Sequence, residues 1–457
     1  MIYSLIFFLF GFLIALFATP TAISFAGRGF GLDEANETRK RHEGKIPRIG
    51  GLPVMIAIAA GLLNILTLHP EHFTQWFPVL LGALLMFGLG LWDDISPIGA
   101  RVKLAGQLLI ASLVYFLGLN IDKLTYPGST MSVPLGAWSF PVTVFWLIAV
   151  PNIINLIDGF DGVAGGLGMF MALTLGIVGM LNNQLPVAWF AFLMAGSLLG
   201  FLVFNFPPAK IFLGDGGAYL VGFSIAALSL TSSHKGSVAA VMFVTVVALG
   251  IPIIDTTFAL VRRALRGFPL FHADDEHIHH RLENLGFSKQ RIVLGIYGVC
   301  LVLSIIGLSI VWSGGRTIPI AIAVVFFLGV FALRYLNYIK SWTGMPTQLD
   351  RVLNRRQAVR YALLQAQVLE MEVDRCLDEG EFWSVFDGSL RRVGFVTGLK
   401  TPDGPCVPIH VKHNGAQPWT LYAPASDATL AEWQRIAECF RAVYVKALSK
   451  WHPPAAK

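Results

Sequence analysis

The chain is a succession of long apolar runs separated by short polar breaks, and that pattern fixes the medium in which it can fold. A helix needs about 20 mostly apolar residues to cross the hydrocarbon core of a bilayer. Eleven segments approach that length, near residues 2–25, 50–68, 77–92, 101–120, 140–157, 162–181, 186–204, 217–231, 237–262, 292–312 and 317–337. With 457 residues, 55% of them hydrophobic and 14% charged, and a mean hydropathy of +0.64, the chain is too apolar for a soluble protein. The expected fold class is an all-α polytopic membrane protein with about 11 transmembrane helices. The run from Ile2 to Ala26 is longer than the ~7–15-residue core of a secretory signal and has no clear small-residue cleavage site, so it reads as the first span.

Loop charge gives an orientation. The first, third, fifth, seventh and ninth loops carry Arg28, Arg39, Lys40, Arg41, Lys45, Arg48, Lys210, Arg263, Arg266, Arg281 and Lys289, whereas the intervening loops hold little beyond Lys123, Lys235 and Arg316. Basic residues mark cytosolic loops. The N-terminus is therefore expected outside and the C-terminus in the cytosol. A formal charge of +6, with the basic residues beside helix ends, favours an anionic membrane surface over nucleic acid. Cys300 lies in an apolar run, and Cys376, Cys406 and Cys439 are scattered without CxxC spacing, which suggests neither a disulfide framework nor a zinc ribbon. No internal repeat is visible.

Residues 1–337 are thus expected to form the transmembrane domain and residues 338–457 a small cytosolic α+β extension of ordinary charge. In that tail Leu430, Trp433, Ile436, Phe440, Val443 and Ala447 recur at helical spacing and predict one amphipathic helix. Val407, Ile409 and Val411 alternate ahead of Asn414-Gly415 and Trp419, which predicts a hairpin. Nothing in the tail looks catalytic.

Four polar breaks carry the chemistry, and all fall on the cytosolic side. Acids and imidazoles at a membrane face are costly, which makes them the default functional site. Asp93-Asp94 ends an apolar helix, followed by Arg101 and Lys103; adjacent carboxylates suit a metal or a phosphate-side base, or form only a solvated helix end. Asn152, Asn155 and Asp158 recur every three residues and share a helix face, with Asp161 projecting between Gly159 and Gly162. That polar face extends back into an apolar helix, which argues against a mere helix-ending turn. Lys210 to Gly217 is a glycine-rich turn with one carboxylate, Asp215, leading into a helix whose N-terminus favours an anion such as phosphate; it lacks Walker spacing. Arg266 and the run His277-Ile278-His279-His280 form the fourth. A zinc site is considered there, but the zincin order is absent and oxygen donors dominate the neighbouring loops, which favours a hard metal with His and Arg left for phosphate oxygens.

In this order the motifs resemble the polyprenyl-phosphate N-acetylhexosamine-1-phosphate transferase family, which includes the bacterial enzymes that start peptidoglycan, teichoic acid and O-antigen lipid intermediates. The first cytosolic loop joins in, since Arg39-Lys40-Arg41-His42 and Pro47-Arg48-Ile49-Gly50-Gly51 are similar to a family stretch, although Leu32 to Asn36 lacks a proline often found there. The resemblance implies Mg²⁺-dependent transfer, with Mn²⁺ an alternative, of a sugar-1-phosphate from a UDP-N-acetylhexosamine to undecaprenyl phosphate, releasing UMP. It implies Asp215 and Asn155 as metal ligands and Asp93, Asp94, Asp158 and Asp161 as catalytic. Asp93 and Asp94 would steer the lipid phosphate, with Asp93 a candidate base. Phe212 and Asp161 would hold the uracil. Lys40, His42, Arg48, Lys103, Asn152, Arg266, His277, His279 and His280 would bind substrate.

His277 to Leu282, with the preceding Pro269-Leu270-Phe271, resembles the N-acetylglucosamine branch more than the muramoyl-pentapeptide branch, which stands as the alternative. UDP-GalNAc, UDP-QuiNAc and UDP-FucNAc would need few pocket changes. A bacterial inner-membrane enzyme for an O-antigen-like envelope polysaccharide is expected, with a homodimer and pathway proteins bound by the tail left open. A secondary transporter is the reading from another class, disfavoured because such sites lie near the midplane of repeated halves.

Overall fold

The structure, a computed structural model, describes residues 2–26, 32–33, 46–125, 132–231, 242, 245–247, 250, 257, 282–283, 285–335, 345–396, 406–411, 419–424 and 430–451. The chain divides into two compact units. The first holds helices α1 (Ile2–Ala26), α2 (Gly51–Leu68), α3 (Phe73–Ile95), α4 (Ala100–Phe116), α5 (Ser139–Ile157), α6 (Val163–Leu181), α7 (Leu185–Asn205), α8 (Gly214–Thr231), α9 (Lys289–Trp312) and α10 (Ile318–Tyr335). Two short antiparallel pairs accompany them, β1 (Leu32–Asp33) with β2 (Ile46–Pro47) and β3 (Lys123–Thr125) with β4 (Ser132–Pro134). Among the described residues seven helices are long and apolar enough to cross a membrane, as expected of a polytopic membrane protein. These are α1, α2, α3, α5, α6, α7 and α9; the expected segment 237–262 lies largely outside the described residues.

At the centre stands α8, with every residue but Asp215 buried from Gly214 to Thr231. A helix apolar all round has to be enclosed by protein or lipid. Here α3 and α5 are its main neighbours, with α2, α6 and α7 completing the shell. Polar side chains inside the bundle find partners: the Trp146 indole donates to Ser229 Oγ at 2.9 Å, tying α5 to α8. The third helix runs on to Ile95, so Asp93 and Asp94 sit in its last turn rather than beyond it.

The second unit is α+β. It holds α11 (Met345–Arg375), α12 (Glu379–Val393), the antiparallel strands β5 (Cys406–Val411) and β6 (Trp419–Pro424), α13 (Leu430–Glu438) and α14 (Arg441–Trp451). The strands pair with Ile409 opposite Leu421, both buried, and the turn residues 412–418 lie outside the described residues. The single helix expected through Leu430 to Ala447 is two. At Cys439 and Phe440 the backbone tightens to bonds three residues back, onto Ile436 and Ala437. That step buries Phe440 against Phe386.

Helix ends in this unit are closed by side chains. Asp378 accepts the Glu381 N–H at 3.1 Å ahead of α12, which stops at Gly394 with φ 108°. The C-terminal carbonyls of α11 are capped from another helix, with Lys450 Nζ donating to the carbonyls of Val373 and Cys376 at 2.6 and 2.8 Å. A cation there also meets the negative end of the helix dipole. Replacing Lys450 with Met is expected to destabilise the α11–α14 contact by about 1 kcal/mol. Hydrogen exchange on the full-length protein checks this through faster exchange at the end of α11, with the first unit unchanged.

Candidate active site

The first turn of a buried helix exposes N–H groups that must find acceptors. At the start of α8 they come from acids on two other helix ends. The N–H groups of Asp215 and Gly216 donate to Asp94 Oδ1 and Oδ2 at 3.0 and 2.9 Å, and the Gly214 N–H donates to Asp158 Oδ2 at 3.1 Å. The anion drawn to this N-terminus is thus the protein's own, rather than the phosphate the sequence suggested for it. Burial, with the Asp215 carboxylate nearby, pushes the Asp158 carboxyl well above the usual carboxylate range.

Close approach makes the geometry possible. Gly214 adopts φ 77°, and a Cβ there would lie 2.1 Å from the Arg48 carbonyl oxygen. At Gly90 on α3 a Cβ would lie 2.5 Å from the backbone of Asp215. The strand leading to α2 runs alongside: Phe212 N donates to the Pro47 carbonyl, while Gly50 and Gly51 N–H donate to the carbonyls of Phe212 and Leu213, at 2.8 to 2.9 Å. Arg48 is thereby fixed where its charge reaches Asp94, Asp158 and Asp215.

With its backbone held, Asp215 presents its carboxylate to α4 and α5. Lys103 Nζ lies 2.7 Å from Asp215 Oδ2 and 2.5 Å from Asp93 Oδ2, so one ammonium joins two carboxylates that are each only 14% exposed. Asp93 Oδ1 accepts the Ile98 N–H at 2.8 Å, which closes the turn between α3 and α4. Asn155 donates to Asp215. The polar face of α5 therefore faces the start of α8, with Asn155 on Asp215 and Asp158 on Gly214. Asn152, one turn earlier, pairs instead with Gln107 of α4, donating to its Oε1 at 2.7 Å.

Asp161 and Phe212 sit beside this cluster rather than in it. Asp161 Oδ2 accepts the Ala209 N–H at 3.1 Å, so it holds the segment leading to α8. Asn205, buried at the end of α7, links the same two loops: its Oδ1 accepts the Gly162 N–H at 3.0 Å and its amide donates to the Ile211 carbonyl at 2.8 Å. From α9, Tyr297 donates to the Gly162 carbonyl at 2.6 Å and Gln290 to the Pro207 carbonyl at 3.1 Å. Sequence reading passed over Gln107, Asn205, Gln290 and Tyr297. The only available signal was an amide or phenol inside or at the edge of an apolar run.

Asp93, Asp94, Lys103, Asn155 and Asp215 are thus joined directly and Asp158 through Gly214, with Arg48, Asn152, Asp161 and Phe212 around them. Lys40, His42, Arg266, His277, His279 and His280 lie outside the described residues. Replacing Gly90 with Ala must push α3 from α8, an overpacking that costs about 1–3 kcal/mol. Gly88, on the same helix, has nothing within 4 Å of its Cβ position. Thermal unfolding in detergent is expected to show a lowered midpoint for Gly90→Ala and none of that loss for Gly88→Ala.

Residues 76–233, which contain most of these groups, match the family model of glycosyl transferase family 4. A probable undecaprenyl-phosphate N-acetylglucosaminyl 1-phosphate transferase of Bacillus subtilis is 35% identical over 336 residues, covering 74% of this chain and 91% of that protein. A decaprenyl-phosphate N-acetylglucosaminephosphotransferase of Mycobacterium tuberculosis is 35% identical over 311 residues, covering 62% and 77%. A phospho-N-acetylmuramoyl-pentapeptide-transferase of Levilactobacillus brevis is 32% identical over 307 residues, covering 60% and 91%. These relatives displace the transporter reading. The chain belongs to glycosyl transferase family 4, the multi-pass membrane enzymes that transfer a sugar phosphate from a nucleotide sugar to a polyprenyl phosphate.

Proposed function

We propose that this enzyme transfers N-acetylglucosamine-1-phosphate from UDP-GlcNAc to undecaprenyl phosphate at the cytosolic face of the bacterial inner membrane, for an envelope polysaccharide. The observation that carries the reading is the Asp93–Lys103–Asp215 bridge with Asn155 on Asp215, a cation-seeking oxygen cluster at a helix end. The choice of sugar is supported by the names of the Bacillus and Mycobacterium relatives. The cytosolic side is supported by loop charge and by the location of UDP-sugars. An orientation with the N-terminus outside and eleven spans belongs to the same proposal.

A lipid phosphate monoester has an ionised oxygen near pH 7, so attack needs positioning more than a base. That oxygen bonds to the phosphorus bearing the sugar, and the bond to the UMP oxygen breaks, its electron pair leaving with UMP. Both reactants are anionic, so positive charge must gather where they meet. The donors around Asp215 are oxygens, which suit a hard cation. Mg²⁺ needs only one or two carboxylates, its shell being completed by water and substrate phosphates. Asp215 and Asn155 would hold it, and when bound it neutralises charge on the diphosphate. Lys103 holds Asp93 beside Asp215, where Asp93 meets the lipid phosphate. Asp94 and Asp158 fix the start of α8. Asp161 and Phe212 flank the nucleotide, with Arg48, Asn152, Lys40, His42, Arg266, His277, His279 and His280 around the diphosphate and sugar.

UMP release from a panel of UDP-HexNAc sugars, with undecaprenyl phosphate and Mg²⁺, tests the reading. UDP-GlcNAc is expected to be the preferred donor, and chelation is expected to stop release until Mg²⁺ or Mn²⁺ returns. Asp215→Asn should lower kcat by on the order of 10²-fold or more with the fold intact. No release from any of these donors would refute the proposal. Residues 338–457 carry none of these groups, so a chain ending before Met345 should retain activity; its inactivity when folded and inserted would show that the tail is part of the chemistry.

A further inference from the structure

Helix α11 carries two apolar seams. Val359, Ala362, Ala366, Leu369, Val373 and Cys376 recur at three- and four-residue steps and are buried, all but Val359 in the core cluster of the second unit. Tyr361, Leu364, Val368 and Met371 recur at the same steps on the other side of the helix and are 42, 59, 46 and 66% exposed. Steps of three and four that alternate make the seam by which two helices pair. Exposed apolar patches with a polar margin mark interaction surfaces.

We propose that this second seam pairs with the same seam of a second copy of the chain, the two α11 helices running antiparallel. The flanking charges choose both occupant and direction. Along one side of the seam, seven residues apart, stand Arg360, Gln367 and Asp374. Antiparallel pairing about the midpoint between Leu364 and Val368 sets Arg360 beside Asp374 of the second copy and Gln367 beside its own equivalent. In the core, Tyr361 then meets Met371, and Leu364 meets Val368. Parallel pairing sets Arg360 against Gln365 and Gln367 against Glu372, with no pair of opposite charges. An anionic membrane surface fits less well, because Glu370, Glu372 and Asp374 flank the C-terminal half of the seam and would be repelled. Asp374 also holds Lys446 at 2.7 Å and remains exposed enough to accept a second cation. A seam of about two heptads is short, and anchoring both copies in one membrane raises their effective concentration.

Cross-linking of full-length chains in proteoliposomes tests this. Leu364→Cys chains and Val368→Cys chains, carrying different tags, are reconstituted together and oxidised, with the wild-type chain setting the background from its native cysteines. In the antiparallel register position 364 faces 368. Two equivalent positions 364 are offset by about one helical turn, ~5.4 Å, along the axis, which with the gap between helices exceeds disulfide reach. Mixed-tag dimers are expected in several-fold excess over dimers formed by either variant alone. Arg360→Asp should lower their yield several-fold, and adding Asp374→Arg on the same chains should restore it. Sugar-phosphate transfer, which uses none of these residues, should stay unchanged throughout and report that the chains are folded. Equal yields in mixed and single populations, or failure of the charge reversal to restore the yield, would overturn the proposal, including the case in which lipid or another protein covers the seam.

Discussion

The start of α8 has to satisfy N–H groups that are buried in the bundle, and the site is built around that requirement. The acceptors are carboxylates carried by the ends of α3 and α5, Asp94 on Asp215 and Gly216 and Asp158 on Gly214. These bonds hold three helix ends in one place. They also fix Asp215, because the residue whose backbone is held is the one whose side chain faces Lys103 and Asn155. A polar contact forced by burial therefore doubles as the alignment of the reactive cluster.

Concentrating acids this way raises their mutual repulsion, and the chain answers with two cations from different directions. Lys103 arrives from the first turn of α4 and touches Asp93 and Asp215. Arg48 arrives on a strand zipped to residues 212–213. Neither is interchangeable with a general excess of charge, since each stands where backbone bonds put it. The buried Gln107–Asn152 pair works on a longer lever. Gln107 lies one turn from Lys103 and Asn152 one turn from Asn155, so their contact sets how far apart α4 and α5 hold those two side chains.

The polar breaks were legible in the sequence because acids at the edge of apolar helices are costly and stand out against Leu, Val and Phe. The face formed by Asn155 and Asp158 followed from a three-residue spacing, and it does point at α8. The glycine turn before Asp215 suggests an external anion such as phosphate; spacing could not reveal that acids 121 and 56 residues away supply acceptors there. Gln107, Asn205 and Tyr297 carry no pattern at all, because a lone amide or phenol acquires meaning only from what the fold sets opposite it. In the tail, periodicity saw through the break at Cys439-Phe440, since the apolar steps continue across it while the backbone does not.

Among the described residues at the start of α8, Asp93, Asp94, Asp158 and Asp215 stand with Lys103, and Arg48 and Asp161 lie beside them. Carboxylates such as Asp93 and Asp215 attract a cation and repel a phosphate. Under the proposed reaction a cation at Asp215 screens that repulsion, so affinity for the diphosphate and affinity for the cation are coupled. Coupling of this kind is reciprocal: whatever factor the cation adds to substrate binding, the substrate adds to cation binding.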